Sequence, residues 1–262
     1  MSIASAKQAE PVKIPNPQEA DERGACKRVI LSMGGKGGVG KTNMMTGLAE
    51  WYHENQIPVT LLDLDTENKS RGSLNHFFRG EAPKINIHAP EGLDAFLDVL
   101  DGGPPIVLAD MGGGSGRVTY AWFDQMHQPV MRRGIVFTAV GLITSDPASV
   151  ESVLTWADRL QRRVTYLIVE NHADGSDNFT YWRESEQARS FQKVFQPAVI
   201  QMEYRLPHLE TAMRNHGVTL SEVIARRTNV PELQVTKAVI RAEGYRERLF
   251  AQFERVKELL LP

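Results

Sequence analysis

Gly34-Gly35-Lys36-Gly37-Gly38-Val39-Gly40-Lys41-Thr42 is preceded by Val29-Ile30-Leu31 and followed by Met44, Met45, Leu48, Ala49 and Tyr52. The triplet reads as a short buried strand, and the apolar positions after Lys41 recur at helical spacing. From Gly35 to Thr42 the chain satisfies G-x-x-x-x-G-K-[ST]. Strand, glycine loop and helix is the setting this pattern requires. Glycines let backbone N–H groups curl around phosphate oxygens, and the helix N-terminus adds partial positive charge. Lys41 supplies a charge near the β and γ phosphates, and Thr42 offers a hydroxyl to Mg²⁺. Gly35, Lys36, Gly37, Gly38, Val39, Gly40 and Asn43 complete the candidate phosphate cradle. An ordinary loop of this kind has no need of Lys36, so that lysine calls for a reason of its own.

Working outward, the other apolar runs alternate with amphipathic stretches. Pro58–Asp65 and Pro105–Asp110 read as buried strands ending in carboxylates, with a helical piece near Leu93–Leu100 between them. Ile135–Thr144, Val164–Val169 and Ala198–Met202 read as three more strands. A helix capped at Ser145 or Asp146, with Pro147 in its first turn, carries Val150, Val153, Leu154, Ala157 and Leu160 on one face. Strands alternating with helices predict an α/β fold: a three-layer, doubly wound, mostly parallel sheet covered on both faces. Ligands of such sheets bind at the carboxyl ends of the strands, where the named acids lie.

The chain of 262 residues fits one α/β domain, read as 26–262, preceded by a polar, proline-punctuated arm at 1–25. A hydrophobic content of 42% supports a substantial core, and a formal charge of −2 carries no gross basic footprint of a nucleic-acid binder. Cys26 is the single cysteine, which excludes intrachain disulfides and cysteine-rich metal centres. No apolar run approaches the ~20 residues of a membrane span, which predicts a cytoplasmic protein without integral membrane association. Near the end, Pro231 opens a helix expected to run nearly to Leu260, its apolar positions packing on the sheet. Phe179-Thr180-Tyr181-Trp182-Arg183 is expected to pack locally, with a partner surface as the alternative.

Two acids complete the candidate site. Asp110, ending a buried strand downstream of the loop, is placed to hold the Mg²⁺ that bridges the β and γ phosphates, with Gly113 beside it. Asp65 is the candidate for orienting the attacking water and approaching the metal. Asp63 is read as a structural strand-end acid. Asn171, just past the fifth strand, is a candidate base contact; Asn171-His172-Ala173-Asp174 also has the N-x-x-D spacing of guanine readers, without their lysine.

Lys36-Gly37-Gly38-Val39-Gly40-Lys41-Thr42, Asp63-Leu64-Asp65 and Ala109-Asp110 with its glycines, in that order, resemble the deviant Walker A ATPases of the ParA/MinD type. The resemblance covers most of 27–225. It implies ATP with Mg²⁺ and a nucleotide-sandwich homodimer, in which Lys36 reaches the partner's phosphates. It also implies an adenine contact from Asn171 and switch segments starting at Asp63 and Asp110. Thr66 stands where the family usually has proline, and Met111-Gly112-Gly113-Gly114 replaces prolines of the second switch. These departures look more like divergent ParA-like ATPases of plasmid transfer or stability systems. The implied activity is partner-stimulated ATP hydrolysis controlling an unidentified protein partner; any non-specific DNA affinity would have to come from Arg226, Arg227, Arg241 and their neighbours. A monomeric kinase or ligase on the same loop, or a GTPase of the same class, stays open as an alternative.

Overall fold

The computed structural model describes residues 27–65 and 71–262. The arm read at 1–25, Cys26 and the stretch from Thr66 to Asn68 lie outside the described residues. Six strands form one sheet in the order β2-β3-β1-β4-β5-β6: β1 Lys27–Met33, β2 Val59–Leu64, β3 Ile106–Met111, β4 Ile135–Ile143, β5 Thr165–Asn171 and β6 Ala198–Met202. Every pairing is parallel, so the sheet is wholly rather than mostly parallel. The main helices are α1 Lys41–Glu54, α2 Pro90–Asp101, α3 Gly116–Met131, α4 Pro147–Leu160, α5 Glu186–Phe195, α6 Pro207–His216, α7 Leu220–Ile224 and α8 Thr236–Arg255.

The two-residue alternation of each strand divides the core in two. Ile30, Leu108, Val140, Leu142, Leu167 and Val169 face α1 and α8. Val29, Leu31, Val107, Phe137, Ala139 and Ile168 face α3, α4 and α5. Both faces being covered explains why the strands read as continuous apolar runs. The sheet also puts β1 at its centre, so the loop leaving its carboxyl end is flanked by the ends of β3 and β4.

The C-terminal helix differs from its expected form. It is two pieces, Pro231–Gln234 and Thr236–Arg255, separated by Val235 in an extended conformation. Leu233 is completely buried, which pins the short piece in place, and Val235 is 39% exposed instead of lying on the seam. Beyond that break Val239 is buried as expected, and Ala242, Leu249 and Phe253 join the core on the chain's own sheet.

A buried cation holds the chain's last residues against the sheet. Arg28, 2% exposed, donates from Nε to Leu261 O (2.5 Å) and from a guanidinium nitrogen to Thr138 Oγ1 (3.0 Å). Thr138 Oγ1 donates to Leu259 O and Tyr52 OH to Leu260 O, each at 2.7 Å. Removing the guanidinium leaves a buried carbonyl and hydroxyl short of a donor. Arg28→Ala is therefore expected to lower stability by roughly 2–4 kcal/mol, read as a lower urea midpoint at unchanged slope.

Candidate functional site

The phosphate loop is shaped by what lies beneath it. Gly40 has φ +95° and forms the N-cap of α1. A Cβ there would sit 2.6 Å from Asn171 Nδ2 and 3.2 Å from Met202 Cε, so the position excludes any side chain on grounds of both backbone and space. Asn171, 4% exposed, donates from Nδ2 to Val39 O at 2.8 Å. The structure thus places this side chain under the loop as a brace, with its amide nitrogen committed there. Asp174, the other half of the guanine-like spacing, accepts from Ser145 Oγ (2.5 Å) and Ser176 N (2.9 Å), which fixes it within its own turn.

The two lysines of the loop face different ways. Lys41 is 8% exposed and folds inward, donating from Nζ to Lys36 O at 2.9 Å. Lys36 turns outward: its Nζ is 3.1 Å from Asp146 Oδ2, both side chains being more than two-fifths exposed. Its backbone N–H donates to Ser152 Oγ at 2.9 Å, tying the loop to α4. Asp146 caps α4 by accepting from Ala148 N. That bond, and then the Lys36 ammonium, hold its carboxyl below the usual range.

Thr42 and Asp110 meet directly, Thr42 Oγ1 donating to Asp110 Oδ2 at 2.7 Å. Ser32 Oγ donates to Asp110 Oδ1 at 3.0 Å and accepts from Met111 N at 2.8 Å. Burial pushes the Asp110 carboxyl up to about 7; the two hydroxyl bonds pull it down, and the charges of Asp63 and Asp65 push it up again. A buried carboxylate facing two other acids is the electrostatic condition that a bound cation relieves. Among the described residues no group of three or more His, Cys, Asp or Glu side chains is arranged to enclose a metal. Mg²⁺ fits such a site nonetheless, because it is ordinarily held by one or two protein oxygens, with phosphate oxygens and water completing the shell.

Asp63 and Asp65 have different tasks. Asp63 is 1% exposed, level with Asp110 across the β2–β3 pairing, and forms an ion pair with Lys84 at 3.1 Å. It also accepts from Asp65 N (3.1 Å) and Asn75 N (2.9 Å), so it fixes the backbone at both of these residues. Lys84 Nζ additionally donates to Asp65 O at 2.9 Å. Asp65 itself is 6% exposed and lies against the backbone of Gly112: a Cβ on Gly112 would be 2.7 Å from Asp65 Oδ1 and 3.2 Å from its Cα. The absence of a side chain at 112 is what lets the two strand-end segments touch. Gly112→Ala is accordingly expected to displace the Asp65 carboxylate and lower turnover by about 10- to 100-fold while nucleotide affinity changes little. Steady-state kinetics beside equilibrium binding of a fluorescent nucleotide checks this split.

Two further candidates are placed by their contacts. The Asn43 side chain donates to Glu210 Oε1 of α6 at 2.6 Å, turning away from the cradle. Gly113 belongs to a short 3₁₀ turn, Gly113–Ser115, and its carbonyl oxygen lies against Gly35, 3.4 Å from where a Cβ would be. The aromatic stretch packs locally, with Phe179 and Trp182 buried at 2% and 3% exposure. Ser32, Lys84, Ser152 and Glu210 carried no local signal, since each acts on a residue far away in sequence; Asp146 was legible as a helix cap but not as the partner of Lys36.

Residues 30–252 match the family described as the CobQ/CobB/MinD/ParA nucleotide binding domain (CbiA). The chain belongs to this family. It is a ParA/MinD-type nucleotide-binding P-loop domain, in agreement with the order of its loop, strand-end acids and parallel strands. Among solved structures the chain is similar to the MinD cell division protein of Aquifex aeolicus, with 14% identity over 90% of this chain and 99% of that one, and a TM-score of 0.49. It is also similar to a plasmid partition protein of Borrelia burgdorferi B31 solved with AMPPNP, with 10% identity over 88% and 99% and a TM-score of 0.46. FtsY of Physcomitrella patens chloroplasts gives 14% identity, 69% and 59% coverage, and 0.47. No curated protein matches the sequence. Among the described residues no helix of this CbiA-family domain is long and apolar enough to cross a membrane.

Proposed function

We propose that the chain is an ATP-dependent dimerisation switch that hydrolyses ATP to control a protein partner, and possible DNA contact, in plasmid partition, conjugative transfer or cargo positioning. One observation carries this reading: Lys41 is turned into its own loop while Lys36, five residues earlier, presents its ammonium outside. A lysine on a phosphate loop that does not serve its own cradle is available to another molecule's phosphates. The ion pair holding it is exposed and therefore weak, so its release costs little.

Within one subunit the backbone of 35–42 and the Lys41 ammonium bind the phosphates. Thr42 and Asp110 would hold Mg²⁺, which neutralises charge on the β and γ oxygens. Asp65 orients a water toward the γ phosphorus from the wall that Gly112 leaves open. Lys36 of a second copy approaches the same phosphates from the other side, adding positive charge only when two chains meet. ATP is assigned over GTP on the lysine-bearing loop, with the base seated near Asn171. The γ phosphate is present before hydrolysis and absent after it, so the two states differ in interaction energy, as a switch requires.

Phosphate release with ATP and with GTP, in buffer holding no acceptor metabolite, tests the reaction class. Slow release with ATP is expected. Preference for GTP overturns the base assignment, and binding of ATP without any release, in monomers, favours a kinase or ligase.

A further inference from the structure

Away from the phosphate loop, residues 204–206, α6, α7 and the first half of α8 enclose an open groove of about 400 Å³. Leu209, Met213, Leu220, Val223 and Leu233 supply its apolar floor. Tyr204 and Ile240 also line it, and they are 41% and 61% exposed, Ile240 being the most exposed large apolar side chain among the described residues. One exposed isoleucine needs no explanation; two large apolar side chains beside an apolar groove mark a surface that something covers.

The charge beside the groove has one sign along one line. Lys237, Arg241, Gly244 and Arg248 fall on a single stripe of α8, at positions i, i+4, i+7 and i+11. Arg248 pairs with Glu203 at 2.6 Å, and Arg205 across the groove lies 3.9 Å from Glu210 and 4.9 Å over the Tyr245 ring. Lys237 and Arg241 have no ion pair among the described residues. Gly244, bare of a side chain, makes room for the Arg248 guanidinium, whose Nη1 lies 3.1 Å from where a Cβ would be. Glu243, Glu247 and Glu254 fall on other faces of α8 at ~100° per residue.

We infer that this groove docks an acidic amphipathic helix from a partner protein, its apolar side chains entering between Tyr204 and Ile240 and its carboxylates lying along Lys237 and Arg241. This deepens the protein-partner half of the reading above and rests on it, yet needs neither nucleotide nor a dimer. A nucleic-acid backbone would satisfy the cations but leave Tyr204, Ile240 and the floor uncovered; an acidic helix covers both. The site also has a route to the phosphate loop. Arg205 contacts Glu210, Glu210 accepts from Asn43, and Asn43 adjoins Thr42.

The test is selection of a displayed library of random peptides, about 16 residues long, on the whole nucleotide-free chain. Counter-selection uses the Ile240→Ser, Arg241→Glu double variant. Both positions are exposed, and circular dichroism confirms that the variant is folded. The expected survivors are net acidic, carry apolar residues at helical spacing, and bind each single variant at least about tenfold more weakly. The inference is overturned if nothing survives, if survivors are basic or lack the spacing, or if they bind the variants equally well. A duplex DNA arm completes it: Arg241→Glu weakening DNA binding while no peptide discriminates assigns the stripe to nucleic acid instead. Because no nucleotide is present, failure of the dimer switch leaves these outcomes unaffected.

Discussion

Lys36→Ala is expected to abolish the proposed ATP-dependent dimer and to lower hydrolysis by about a thousandfold or more, while the monomer still binds nucleotide. The magnitude is that of a cation supplied in trans to a phosphoryl-transfer transition state, commonly 10³–10⁵ in rate. The expectation that binding survives follows from geometry. Lys41, the loop backbone and Thr42 do not depend on the Lys36 side chain; the Lys41 ammonium meets Lys36 at its backbone carbonyl. Stability should also survive, since the ion pair of that side chain with Asp146 is exposed. A structural lysine would behave differently, losing melting temperature and affinity together. Equilibrium binding, melting and single-turnover phosphate release on one preparation separate the two cases.

Asp65→Asn lowers turnover by about 10²–10⁴, the usual worth of a positioned general base or water-orienting group. The dimer should accumulate, because its discharge is blocked while its assembly is not. The backbone of Asp65 is held independently of its carboxylate: its N–H donates to Asp63, and its carbonyl accepts from Lys84. The substituted amide therefore occupies the same place beside Gly112 with no negative charge to aim a water. Retained turnover would remove Asp65 from the catalytic role. Lost nucleotide affinity would instead move it to the metal alone.

The sequence made the strands and the phosphate cradle legible for a physical reason. A parallel sheet covered on both faces needs uninterrupted apolar runs, and a phosphate cradle needs glycines at fixed spacing, so both leave local patterns. Asp110 was legible because it ends such a run. The relations that tune the site were not. Gly112 looked like one of three interchangeable glycines until its contact with Asp65 distinguished it. Asn171 looked like a base contact, and its burial beneath Gly40 was hidden in a pairing of residues 131 positions apart. Arg28 precedes the apolar run from which the first strand was read, and nothing local marks its burial against Leu261. The break at Val235 was invisible because its apolar spacing continues the helical seam; the buried Leu233 decides where the short piece stops.

The assembly state under ATP, ADP and no nucleotide tests the central claim most directly, measured by size-exclusion chromatography with light scattering on the wild type and Lys36→Ala. The account predicts a dimer with ATP alone, monomers in the other two conditions, and a monomer throughout for Lys36→Ala. A wild-type monomer in ATP, or a dimer that forms without nucleotide and persists in Lys36→Ala, would contradict it.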